Sequence, residues 1–270
     1  MLSNFKNISG TFTSGFGKTS GFLKSGSPIS KIISALLIMV VLITIYNFSG
    51  RVLKYIKDYN NSKPWIIKGT KNAKKRLVVI QDPSKDGATT LMRSTNEEGG
   101  IEFSYAFWMY IDDWSYKYGQ WKHVLHKGNA DSWPNRAPGI WLHPKENKMR
   151  IYMNTFKKIG EFCDVDNIPL NKWCHVIVMV RQKELNVFIN GNLRKKHDLE
   201  ALPKQNSGDL YVNSFRGFSG YLSNLRYYNY IVSYADIDEL LKKGPSSMPC
   251  VDTGETPPYL SPNWWVSDTK

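Results

Sequence analysis

The sequence predicts a mainly β protein: an antiparallel β-sandwich of the jelly-roll type, preceded by a single transmembrane α-helix. Three observations predict it. One unbroken apolar run lies near the N-terminus, nine or more short β-prone segments follow it, and no helical pattern interrupts those segments.

The apolar run extends from Ile29 to Tyr46 within a predicted span of 28–48, and its one charge is Lys31, at the edge. A helix needs roughly 20 mostly apolar residues to cross a bilayer's hydrocarbon core. Nothing else in the first 75 residues could cover such a helix on all sides, so a buried core helix is set aside. A cleaved signal fits poorly as well. Twenty-seven residues precede Pro28, and Asn47 and Phe48 stand where a cleavage site needs small residues. Met1-Leu2 carries no myristoylation signal and the final Ser-Asp-Thr-Lys no prenylation box, so the span is expected to be the only anchor.

Charge is unevenly placed. Residues 1–75 hold 12 Lys/Arg and one acid, Asp58, a net of +11, whereas residues 76–270 carry a net of +2. Basic residues beside a span favour the cytoplasmic side and anionic headgroups. Lys24, Lys31, Arg51, Lys54 and Lys57 are therefore expected at the membrane surface, with the C-terminal body on the cytoplasmic face. A nearly neutral body argues against nucleic acid as a partner. Cys163, Cys174 and Cys250 make no disulfide framework; a Cys163–Cys174 pair across neighbouring strands is weighed against three reduced thiols, which suit a cytoplasmic face better. Glycosylation sequons begin at Asn7, Asn47 and Asn60, with none in the body.

Five segments follow in order. Residues 1–27 form a basic tail with a loose Ser/Gly repeat, too polar to fold alone. It either orders on a partner or headgroups through Phe12, Phe16 and Phe22 or stays a solvated tail. After the span 28–48, residues 49–75 continue as a basic helix until Asn60-Asn61-Ser62 and Pro64 stop it, then become a linker over 68–75. The sandwich is expected over 76–245. Its strands include 101–111, 121–127, a hairpin of 139–143 with 148–153, and a hairpin of 173–180 with 184–189, followed by a tight turn at Asn190-Gly191 and further strands at 210–212 and 217–228. Ser233 with Asp236 opens a short helix, 235–243, that Gly244-Pro245 closes. Residues 246–270 read as a Pro/Trp-rich strap.

Four ordered motifs carry a resemblance. Phe103-Ser104-Tyr105-Ala106-Phe107-Trp108-Met109-Tyr110, Trp173-Cys174-His175-Val176, Leu185-Asn186-Val187-Phe188-Ile189-Asn190-Gly191 and the strand from Gly217 to Tyr228 resemble strands of laminin-G-like, concanavalin A-type jelly rolls. The membrane-tethered form is most similar to laminin-G-like proteins of large double-stranded DNA viruses, which have an internal membrane beneath the capsid. That resemblance implies a minor virion protein on the internal membrane, with capsid or other virion proteins as partners.

Fold does not fix function, so the residues must. Glycoside hydrolysis needs paired carboxyls about 5 Å apart or somewhat more, and no Glu-x-Asp-x-Glu strand occurs. Asp112, Asp113, Asp164 and Asp166 are candidate Ca²⁺ ligands but are placed at turns, where Asp is ordinary; no cofactor is expected. Trp114, Tyr116, Tyr118, Trp121, Trp133 and Arg136 concentrate aromatic faces and charge in two loops, and Trp264-Trp265 adds a pair in the strap. Such faces suit protein partners or glycans, and protein contact is preferred. The five histidines show no metal-ligand spacing, and His175 reads as a core residue. The expected function is a non-enzymatic, membrane-anchored structural protein, with a membrane-tethered lectin as the alternative.

Overall fold

Two structural units make up the chain in a computed structural model that describes residues 28–94 and 101–250: one up to Tyr59, the other from Asn60 onward. The first unit consists of most of helix α1 (Pro28–Ser62), 35 residues of which the N-terminal half is apolar. It is long and apolar enough to cross a membrane. Apolar side chains on every face are exposed, Leu36 at 55%, Ile38 at 59% and Leu42 at 60%, which is the reverse of a core helix. The helix ends at Ser62, two residues before Pro64, because the residue preceding a proline is disfavoured in the α region.

The second unit is a sandwich of two six-stranded antiparallel sheets. In chain order the strands are β1 (Thr70–Asn72), β2 (Leu77–Val79), β3 (Glu102–Asp113), β4 (Lys122–Gly128), β5 (Arg136–Leu142), β6 (Lys148–Met153), β7 (Glu161–Asp166), β8 (Trp173–Arg181), β9 (Glu184–Ile189), β10 (Asn192–Asp198), β11 (Leu210–Val212) and β12 (Ser219–Tyr228). One sheet runs β1-β12-β3-β8-β9-β10 and the other β2-β11-β4-β5-β6-β7. The fold class read from the sequence is the one observed.

Strand period explains the layers. Phe103, Tyr105, Phe107, Met109 and Ile111 of β3 and Val176, Val178 and Val180 of β8 point inward to meet Met149, Ile151, Cys163 and Val165 of the facing sheet. The alternate residues Ala106, Ile177 and Met179 are buried too, because helix α2 (Tyr234–Lys243) covers that outer face through Ile237. Burial on both faces is why these strands read as continuous apolar runs. Ser233 caps α2: its hydroxyl accepts from the Asp236 N–H, and the Asp236 carboxylate accepts from the Ser233 N–H. Asn190 and Gly191 both take positive φ, 50° and 80°, and close the β9–β10 hairpin.

Two expectations need correction, and of the two cysteine readings the reduced thiols are the one observed. The segment 68–75 is not merely a linker: Thr70–Asn72 pairs with Tyr221–Ser223 as an edge strand, with Lys71 buried. Residues 246–250 run beside that edge, the Cys250 N–H donating to the Thr70 carbonyl. Asp164-Val165-Asp166 is no turn but the second half of β7, paired with β6. Cys163 and Cys174 lie in different sheets and are not bonded; both are buried thiols whose pKa burial pushes up to about 12. The tail with Lys24 and the Trp264-Trp265 pair lie outside the described residues.

Candidate binding face

The outer face of the β4–β7 sheet carries the site. Along β6, Met149, Ile151 and Met153 are spent on the core, so the pleat turns Arg150 and Tyr152 outward. Phe162 and Asp164 of β7 stand beside them, Tyr152 opposite Phe162 and Arg150 opposite Asp164. The Arg150 fork meets the Asp164 carboxylate twice, Nε to Oδ1 and Nη2 to Oδ2, each at 2.7 Å. Hydrogen bonds from Arg150 hold the Asp164 carboxyl below its usual range despite partial burial. Fixed in that way, the guanidinium lies 3.8 Å from the Phe162 ring centre and 4.9 Å from that of Trp121.

A second guanidinium continues the row. Arg136 lies 3.5 Å over the Tyr152 ring and 5.7 Å from that of Trp133. Burial lowers its pKa, and among the described residues its Nε finds no hydrogen-bond partner. Gly160, at φ 73°, passes close by: a Cβ there would sit 3.3 Å from Arg136 Nη2 and 3.7 Å from Trp133. Asn154 ties these segments together, its amide donating to the Pro134 carbonyl at 2.6 Å and its oxygen accepting from the Gly160 N–H at 3.1 Å. The result is a row, Trp121–Arg150–Tyr152–Arg136–Trp133, flanked by Phe162. Trp133, at one end, is 54% exposed and the flanking Phe162 42%.

Of the sequence candidates, the fold brings Trp121, Trp133 and Arg136 into this row. Trp114 packs against the core, with buried Lys122 5.2 Å from its ring. Tyr116 donates to the Arg216 carbonyl at 3.0 Å and is stacked by Lys74, so it fastens a loop. Tyr118 is exposed, away from these contacts. Arg150, Tyr152 and Phe162 were not picked out by sequence reasoning, although the alternation Lys148-Met149-Arg150-Ile151-Tyr152-Met153 marks which residues of β6 face outward.

The acidic candidates have other occupations. Asp113 accepts from the N–H and hydroxyl of Ser115, which lowers its pKa. Asp166 is 3.6 Å from the Lys148 ammonium, and Asp112 is exposed. Among the described residues, no group of three or more His, Cys, Asp or Glu is placed to hold a metal ion.

Two six-stranded antiparallel sheets packed face to face define a jelly-roll β-sandwich. The family described as the concanavalin A-like lectin/glucanases superfamily, Laminin_G_3, matches residues 83–238, and the chain belongs to it. No curated relative matches. Among solved structures, the chain is similar to the binding domain of botulinum neurotoxin serotype D, at 14% identity and a TM-score of 0.49, covering 68% of this chain and 51% of that one. It is also similar to the binding domain of botulinum neurotoxin DC in complex with rat synaptotagmin II, at 13% identity and a TM-score of 0.43, covering 53% and 35%. The chain thus spans about half or less of those domains, and likeness at this level carries no argument about function.

Proposed function

We propose that this chain is a non-enzymatic, membrane-tethered binding protein whose β-sandwich head engages a neighbouring protein. The observation that carries the reading is the row Trp121–Arg150–Tyr152–Arg136–Trp133. Interface hot spots are enriched in Trp, Tyr and Arg held in place before contact, and both arginines here are already fixed by ring or carboxylate. Asp164 faces the row paired with Arg150, which keeps its carboxyl ionised and speaks against a general-acid role. Helix α1 supplies the anchor, and Arg51, Lys54 and Lys57 at its end favour a head on the cytoplasmic side. The viral resemblance adds a finer reading: a minor virion protein linking an internal membrane to the capsid shell.

One observation favours a lectin as the second reading. The exposed Trp133 ring offers a flat face of the kind on which a sugar stacks. Full-length protein in nanodiscs, carrying a photo-crosslinker in place of Phe162, is expected to trap a protein from its native particles or membranes. The same preparation is expected to be silent on a glycan array. Saccharide-selective binding abolished by Trp133→Ala would overturn the protein-contact reading in favour of the lectin.

A further inference from the structure

We propose that the open end of the sandwich binds a small organic anion with a flat apolar body, at a site separate from the outer row. A cavity of about 380 Å³ lies there between the two sheets, within the usual range of small-molecule pockets, roughly 300–1,000 Å³. One wall is aromatic. Phe103, Tyr105 and Tyr227 point inward from β3 and β12, with Tyr105 and Tyr227 centred 5.1 Å apart and Phe103 edge-on to Tyr105 at 5.9 Å. Such a wall suits a planar or slender apolar group.

Lys127, Arg93 and Tyr105 bring donors to the cavity. Lys127 gives two of its three N–H bonds to the carbonyls of Asn206 and Gly208, at 2.9 and 2.8 Å, and keeps one. Among the described residues, Arg93 commits only its Nε, to the Gln205 side chain. The Tyr105 hydroxyl makes no hydrogen bond among the described residues, although that side chain is almost wholly buried. Burial pushes the Lys127 pKa down to about 8, partly offset by Asp209, as expected of an ammonium short of solvent and of a close counter-ion. Among the described residues, no carboxylate lines the cavity. Spare donors and two cations call for an acceptor-only anionic group, and a carboxylate on a ring or short chain meets both walls.

Full-length protein in nanodiscs should bind benzoate and hexanoate saturably, as read by saturation-transfer NMR, with benzyl alcohol as the neutral control at least tenfold weaker. Arg93→Gln, at an exposed position, and Tyr105→Phe, which keeps the ring, should each weaken benzoate at least fivefold while leaving benzyl alcohol within twofold. Absence of saturable binding by both acids overturns the proposal. So does benzyl alcohol matching benzoate, or benzoate binding that neither substitution moves.

Discussion

His123 and His126 form a buried pair on the outer face of the sheet, with Nε2 of His123 2.6 Å from Nδ1 of His126. Their neighbours fix both tautomers. The Ser214 N–H donates to His123 Nδ1 at 2.9 Å, so the His123 proton sits on Nε2 and is donated to His126 Nδ1. His126 must then carry its proton on Nε2, which donates to the Asn129 carbonyl at 2.8 Å. Two residues three apart share a face here because β4 is bulged between His123 and Leu125. The chain of bonds ties the 213–217 loop to the loop that presents Trp133, since Asn129 Nδ2 also donates to the Trp133 carbonyl.

A pH dependence follows, because a proton on either ring breaks that chain. Burial lowers both pKa values, that of His123 strongly, with His126, Lys117 and Arg76 adding to it. For His126, Arg136 and Arg76 push the same way, while the Asn129 bond and Asp131 oppose. His175, buried beside Trp108, is lowered to about 4. Folded-state values below the unfolded value of about 6.5 mean that the unfolded chain binds more protons in acid. The histidine contribution is therefore full above pH 6.5 and falls as pH drops below it, continuing to about pH 4 for His175. That residue alone accounts for about 3 kcal/mol at the acid limit, at about 1.4 kcal/mol per pKa unit. Denaturant unfolding from pH 7.5 to 4 should show the decline, and His175→Gln should flatten it.

Gly220 gives a sharper test of the sheet. It sits at φ 143° beside a register shift between β12 and β3, and an added Cβ would fall on the Tyr110 carbonyl oxygen. Neither the backbone angle nor the space admits a side chain, and moving β3 would disturb the central strand. Gly220→Ala is expected to cost 3 kcal/mol or more, at about the upper end of single-residue effects. Gly87→Ala, at φ 72° but in open space, should cost about 1 kcal/mol. Equal melting temperatures for the two variants would contradict this account.

The fold was legible because its signals are local. The period-2 strands, the Asn190-Gly191 turn and the Ser233–Asp236 cap each act within a few residues of sequence. The candidate binding face was half legible. Trp121, Trp133 and Arg136 stand out by composition, but their alignment with Arg150, Tyr152 and Phe162 depends on which strands neighbour each other. Reading Asp164-Val165-Asp166 as a turn hid β7, and with it the carboxylate that fixes Arg150. The His123–His126 pair escaped for a similar reason: i and i+3 face opposite sides of a regular strand, and only the bulge brings them together.

The Arg150–Asp164 fork should matter more for binding than for stability. Its side chains are part-exposed, so Asp164→Asn should lower unfolding stability by only about 1 kcal/mol. With the fork gone, Arg150 regains rotamer freedom and its stacking on Phe162 and Trp121 loosens. Crosslinking yield through the Phe162 position should then drop severalfold. Arg150→Lys should behave almost as badly, because an ammonium can neither pair bidentately nor stack as a plane. Wild-type yield with Arg150→Lys would show that charge alone suffices.

Helix α1 offers the most direct test of the tether. Its apolar side chains are exposed around the whole circumference, so in water the helix would leave a continuous greasy surface, whereas lipid would cover it. Alkaline carbonate should leave the full-length chain in the membrane pellet. An Asp near the middle of a span costs about 2.5–3.5 kcal/mol on insertion, so Leu36→Asp combined with Leu42→Asp should move most of the chain to the supernatant. The same fractions, analysed by N-terminal sequencing, separate an anchor from a signal: a retained anchor leaves residues 28–48 on the membrane-bound species. Wild-type chain released by carbonate, or a mature terminus beyond Gly50, would remove the tether and leave the sandwich to act alone.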